Sequence, residues 1–113
     1  MLLERKEFKE ENGEIGFLES IYDSSNLLKS TYFPQSNKMY IAFYKGKIYS
    51  YQNISQELYD DFEKAESQGV YFRTNISKNE KYPCQAEYSL YPSELNDINE
   101  EINEIKNKKE AID

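Results

Sequence analysis

The segment Met39 to Tyr51 constrains the fold of this chain most. Six residues rich in aromatic and branched side chains, Met39 to Tyr44, run into Lys45-Gly46 and return through Lys47 to Tyr51. Aromatic and β-branched residues favour a pleated, half-buried surface. Gly supplies the positive φ that a tight hairpin turn needs. The segment therefore predicts two antiparallel strands. A two-residue loop at Lys45-Gly46 would pair Phe43 with Ile48 and Ile41 with Ser50. Period-2 alternation then gives a core face of Met39, Ile41, Phe43 and Ile48, and an opposite face of Tyr40, Tyr44, Tyr49 and Tyr51.

The flanking sequence extends this unit. Asn26 to Phe33 reads as extended, and Pro34-Gln35-Ser36-Asn37 as a turn by composition. After the hairpin, Ser55 is placed to cap a helix, with Ile54 and Tyr59 as a hydrophobic staple. Leu58, Phe62 and Ala65 recur at helical spacing as its buried stripe. Gly69 reads as its C-terminal stop, and Val70 to Ile76 as a further extended segment. Residues 1–16 read as a polar lead-in, and 84–113 as an acidic linker followed by a helix from Pro92-Ser93. On that helix Leu95, Ile98, Ile102 and Ile105 make a narrow apolar stripe. So narrow a stripe needs a partner, which is either its own domain or another subunit. The expected fold class is α+β: a small antiparallel sheet with one packed helix, plus a C-terminal amphipathic helix.

Composition then excludes most chemistry. The chain has no histidine, which removes His-based triads, metal sites and proton shuttles. Cys84 is the sole cysteine, so neither an internal disulfide nor a cysteine-cluster metal site is available. No Gly-rich phosphate loop or magnesium motif is present. Hydrolysis would rest on Asp, Glu, Lys or Tyr alone, and a non-enzyme without cofactor or metal is expected. No apolar run is long enough to span a membrane. The charged first eleven residues do not resemble a signal peptide, so a cytoplasmic location is expected.

The net charge is −7, and it belongs to the ends: −2 over residues 1–16, zero over 17–83 and −5 over 84–113. Bulk electrostatics thus disfavour RNA, whose phosphates want a Lys/Arg surplus. A local basic pocket remains open. Arg73 is one of two arginines against twelve lysines. Its guanidinium suits bidentate recognition of phosphate or carboxylate, although a surface arginine paired with an acid is the plainer reading. Tyr40, Tyr49 and Tyr51 are candidates for stacking on a base, or else simply strand residues under a helix. Ser24, Ser25 and Asn26 offer hydroxyl and amide contacts, or a strand-entry turn. Asn75 joins Arg73 after the helix; Lys78, Lys81 and Tyr82 form one modest basic-aromatic patch and Lys45 with Lys47 another, both weak as nucleic-acid signals and more plainly solvated lysines.

These pieces occur in an order that resembles the KTSC domain family. The series runs Ser24-Ser25-Asn26, the strand pair around Gly46, Ile54-Ser55 with Leu58-Tyr59, Ala65-Glu66-Ser67-Gln68-Gly69-Val70-Tyr71-Phe72, Asn75-Ile76 and Tyr82-Pro83. The resemblance covers about residues 20–83. Two positions depart from the family pattern: Thr31-Tyr32 stands for its Gly-Tyr dipeptide, and Ile54-Ser55 for its Val-Pro turn. The resemblance implies a small α+β domain, found fused to some lysyl-tRNA synthetases and alone in small bacterial and phage proteins, with no general catalytic activity. Three expectations follow. The first is capture of a nucleotide-like anionic small molecule, with an anti-defence phage protein sequestering a host nucleotide signal as its sharpest form. The second is an RNA or tRNA accessory module. The third is an adaptor or homo-oligomer built through the Leu95–Ile105 stripe.

Overall fold

The computed structural model describes residues 1–112. Six strands form one antiparallel sheet, in spatial order β1-β2-β3-β4-β5-β6, the order of the chain itself. The strands are β1 (Leu2–Lys9), β2 (Ile15–Tyr22), β3 (Leu27–Phe33), β4 (Lys38–Phe43), β5 (Lys47–Tyr51) and β6 (Cys84–Ser89). Helices α1 (Gln56–Lys64) and α2 (Gln68–Asn75) lie between β5 and β6, and α3 (Pro92–Ile112) ends the chain. The α+β class is as expected, but the sheet is larger and the helices number three.

The β4–β5 hairpin forms where the sequence places it, with its register one residue away. Met39 pairs with Tyr51, Tyr40 with Ser50, Ile41 with Tyr49 and Ala42 with Ile48. The turn holds three residues, Tyr44-Lys45-Gly46. The Gly46 N–H donates to the Phe43 carbonyl at 2.8 Å, and Gly46 has φ 96°. This is the three-residue hairpin loop that closes on a glycine. Because side chains alternate with period two, a slip of one residue moves a whole strand to the other face. Tyr49 and Tyr51 therefore join Met39 and Ile41 in the core, while Tyr40 faces the opposite side with Ala42 and Ile48. The single tyrosine face expected from a two-residue loop does not exist. A Cβ on Gly46 would meet only ordinary contacts, the nearest 3.6 Å away at Leu90. The cost of Gly46→Ala is thus conformational, and a loss of about 1–2 kcal/mol is expected in urea unfolding.

Residues 1–16, read as a lead-in, supply β1 and the start of β2. Phe8 stacks on Phe17 with ring centroids 4.4 Å apart. The strand reads as polar because it is an edge: Leu3 is its one buried residue. The segment from Val70, read as extended, lies in α2. Ser67 caps that helix, accepting the Val70 N–H at 3.2 Å. The neighbouring Gln68 is buried, and its Nε2 donates to the Ala65 carbonyl at 2.9 Å, with the Phe62 and Glu63 carbonyls at 3.3 Å. One side chain thus answers the orphan carbonyls of α1 and opens α2. Gly69 sits inside the first turn of α2, not at a helix stop. Cys84 to Ser89, read as linker, is β6 on the far edge of the sheet.

Each face of the sheet carries its own core. Between the sheet and α1 pack Leu18, Tyr22, Tyr32, Met39, Ile41, Tyr51 and Ile54 with Tyr59 and Phe62 of the helix itself. Tyr32 stacks on Tyr59 at 4.4 Å and donates its hydroxyl to the Ile54 carbonyl at 2.7 Å. On the other face Ile102 is buried with Leu3, Ile21 and Leu28, and Leu95, Ile98 and Ile105 pack against them. The apolar stripe of α3 therefore docks on its own sheet. Ion pairs Lys6–Glu101 (3.1 Å) and Lys106–Asp23 (3.4 Å) flank it. No described helix is long and apolar enough to cross a membrane.

Candidate functional site

The motif residues at the start of β3 and in α2 meet at one end of the helix-covered face. Ser24 shapes the approach: its Oγ accepts the backbone N–H of Asn26 and of Leu27, both at 3.3 Å. That turn sends the Asn26 side chain against the first turn of α2. A Cβ built on Gly69 would stand 3.0 Å from Asn26 Nδ2 and 3.5 Å from Arg73 Nη1. Gly69 is thus the residue that lets the Asn26 amide and the Arg73 guanidinium approach the same stretch of helix. Its role is close approach rather than helix termination.

Asn26, Gly69 and Arg73 line a depression of about 260 Å³ with Leu27, Phe43, Tyr44 and Phe72. A second depression of about 370 Å³ adjoins it across Phe43, Tyr44 and Phe72. Lys45, Lys47, Tyr49, Tyr51, Ser77 and Cys84 complete the second one. Together they form a groove at the hairpin end of the sheet. The Phe43 ring meets Tyr49 edge-on at 5.8 Å and Phe72 at 5.6 Å, so the floor is aromatic. Tyr44 is half exposed, and the Lys45 ammonium stands 5.5 Å from its ring centroid. Arg73 is exposed and forms no ion pair with an acid among the described residues. The plainer reading of Arg73, as half of a surface pair, has no partner here.

The groove is cationic. Arg73, Lys45 and Lys47 line it, and no aspartate or glutamate among the described residues does. In a chain of net charge −7 this is a local reversal. A concave, partly apolar site attracts anions best where such cations are not already neutralised.

The other expected site residues fall in several places. Ser25 is exposed beside Asn26. Tyr49 lines the groove. Tyr51 contributes to its floor from within the core, where it is 5% exposed and meets Phe72 edge-on at 5.3 Å. Burial first, and the neighbouring Cys84 side chain second, push the Tyr51 phenol far above its ordinary value, so it stays protonated. Tyr40 lies on the opposite face and cannot join them. Asn75 uses its amide within the helix, donating to the Tyr71 carbonyl at 3.1 Å. Lys81 is exposed, and Tyr82 packs against the helix-side core. Neither lines the groove. Sequence reasoning did not assign Tyr44, Lys45, Lys47, Gly69 and Phe72 to the site. The available signal was Gly69 itself, a glycine where a helix was expected to end.

Among the described residues, no group of three Cys, Asp or Glu side chains is placed to hold a metal ion.

An antiparallel sheet ordered as the chain is, with two short helices on one face and this groove at its end, defines a small α+β domain. The KTSC domain model matches residues 23–82, and the chain belongs to that family. It is also similar to the crystal structure of a KTSC domain protein from Yersinia pestis. There the TM-score is 0.58 and the identity 24%, over 64% of this chain and 99% of that one. At that identity the likeness is one of fold. No curated protein matches the chain.

Proposed function

We propose that the protein is a non-catalytic binding module that captures a nucleotide-like anionic small molecule in the Asn26–Arg73 groove. The observation that carries this reading is the aromatic floor lined by three cations and, among the described residues, by no acid, on a strongly acidic chain. In this reading Arg73 holds phosphate through its forked donors. Lys45 and Lys47 supply further positive charge, Asn26 hydrogen-bonds a ring or ribose, and Tyr44 or Tyr49 stacks on the base. Capture alone completes such a function. A phage-encoded sponge for a nucleotide signal needs affinity and no turnover.

The test is thermal unfolding against nucleotides, cyclic dinucleotides and ADP-ribose derivatives, with short RNAs in parallel. A ligand at about 100 times its Kd stabilises the folded state by about 2.7 kcal/mol, several degrees for a domain of this size. Arg73→Ala is expected to weaken that ligand at least tenfold. Gly69→Ala removes helix-interior glycine but pushes its Cβ into Asn26 Nδ2, the free end of a side chain. It is expected to impair binding while leaving the melting temperature within about 2 °C of the parent. A flat small-molecule panel, or full affinity in both variants, refutes the assignment. A shift with RNA alone transfers the groove to the RNA reading.

A further inference from the structure

A cavity of about 600 Å³ lies on the opposite face of the sheet. It lies beside α3, which runs from the hairpin end of the sheet to the first three strands. The N-terminal end of α3 is tied to the hairpin, where the Leu90 N–H donates to the Gly46 carbonyl at 2.8 Å. Its middle and C-terminal half rest on Leu3, Ile21 and Leu28 of the first three strands. The part of β3, β4 and β5 beside the helix stays open. Thr31, Ala42 and Ile48 form a floor of small and aliphatic side chains, Phe33, Tyr40 and Tyr88 supply aromatic walls, and Ile98 closes the helix side.

The charges around this cavity have the sign opposite to those of the Arg73 groove. Glu94 and Asp97 project from α3 into its lining. Lys29, the one lining cation among the described residues, is held by Glu19 at 2.7 Å, so its charge is already met. Asp97 has no ion-pair partner among the described residues. The Tyr40 ring also attracts a cation: the Lys38 ammonium stands 5.1 Å from its centroid. Phe33 meets that ring edge-on at 5.8 Å and fixes its orientation.

We propose that this cavity is a second ligand site, and that it takes an organic ammonium ion carried on an apolar body. Electron-rich ring faces attract a cation without requiring a hydrogen bond. Two carboxylates at the rim add Coulomb attraction, and the aliphatic floor accepts the body of the ligand. The cavity volume falls within the range of about 300–1,000 Å³ usual for small-molecule sites. The two faces of one sheet thus hold sites of opposite charge preference, and this site stands independently of the Arg73 groove.

The probe is benzylamine, cationic at neutral pH, with benzyl alcohol as its neutral counterpart. Each is titrated into the full chain and followed by backbone amide NMR. Benzylamine is expected to shift the amides of Tyr40, Ile48, Tyr88 and Asp97, and benzyl alcohol to bind roughly tenfold more weakly. The surface double variant Glu94→Gln, Asp97→Asn keeps the fold, and is expected to reduce benzylamine affinity to that of the alcohol. Tyr40→Leu keeps an apolar wall without a ring, and is expected to weaken the amine selectively. Equal binding of amine and alcohol overturns the proposal. So does unchanged affinity in the double variant, or shifts that centre on Gly69 and Arg73.

Discussion

Truncation of Phe62 to alanine is expected to remove about 3–5 kcal/mol of stability, the largest effect of any single change discussed for this chain. Phe62 is fully buried at the centre of the helix-side core. Its ring meets Tyr22 edge-on at 5.5 Å and lies 6.3 Å from the Tyr59 ring. Neighbouring Tyr22 and Tyr59 are tied by hydroxyl hydrogen bonds to Ser30, so they cannot relax into the vacated space without losing those bonds. A cavity that cannot collapse carries the full penalty. Domains of this class are stable by only about 5–15 kcal/mol, so the variant should unfold at markedly lower urea concentration. A loss below about 1.5 kcal/mol in urea titration would show that the core repacks around the gap.

The second large effect concerns a carboxylate within that core. Glu63 is 4% exposed. Its Oε2 accepts the Ser20 hydroxyl at 2.5 Å, and Arg5 reaches Oε1 at 3.5 Å. Tyr59 donates to Ser20 at 3.3 Å, Ser30 lies 2.9 Å from Tyr59, and Tyr22 lies 2.7 Å from Ser30. The chain of hydroxyls leaves no buried side-chain polar atom without a partner among the described residues. Ser20→Ala removes the closest donor to a buried charge and is expected to cost about 1.5–3 kcal/mol at pH 8.

The pH dependence has a definite sign. Burial raises the Glu63 pKa above its ordinary value, and the Ser20 hydrogen bond and Arg5 only partly oppose this. The folded chain therefore binds this proton more tightly than the unfolded chain. The associated stability is fully present below the ordinary glutamate value of about 4.3, and is lost as pH rises through the raised one. Glu63→Gln keeps the shape and the acceptor but does not titrate. Its melting temperature relative to the parent should climb as pH rises from 4 through the raised value, and then level off. The cost of Ser20→Ala should shrink at pH 4, where the carboxyl is neutral. Melting curves at matched ionic strength decide this, and a pH-independent difference in both variants would remove Glu63 as the titrating group.

The hairpin shows how much of the fold the sequence made legible. Alternation and Gly46 located both strands of the β4–β5 unit, since those signals are local. The loop length was not local information: Tyr44 had to be counted as turn or as strand, and one residue decided which tyrosines met. Tyr40 was lost from the predicted site for that reason, while Tyr49 and Tyr51 stayed with it. The strand β1 was illegible because an edge strand buries little, and Leu3 alone cannot make a pattern. The helix α2 was misread because Val70, Tyr71 and Phe72 favour strands in isolation. The Ser67 cap and the buried Gln68 side chain override that preference. Asn26 and Arg73 were legible as chemistry. Their meeting was not, because it depends on a helix that the propensities of Val70–Phe72 conceal.

The sheet whose spatial order repeats the chain order has a kinetic consequence. Four of its five strand pairings join neighbours across short turns, so they can form one after another without a large loop-closure penalty. The fifth is different. Strand β6 must wait for the 32 residues from Gln52 to Pro83, which contain both helices, to bring it back beside β5. Folding of this chain is thus a zipper with one late stitch. The aromatic-floored groove gains its last wall, Cys84, only when that stitch closes.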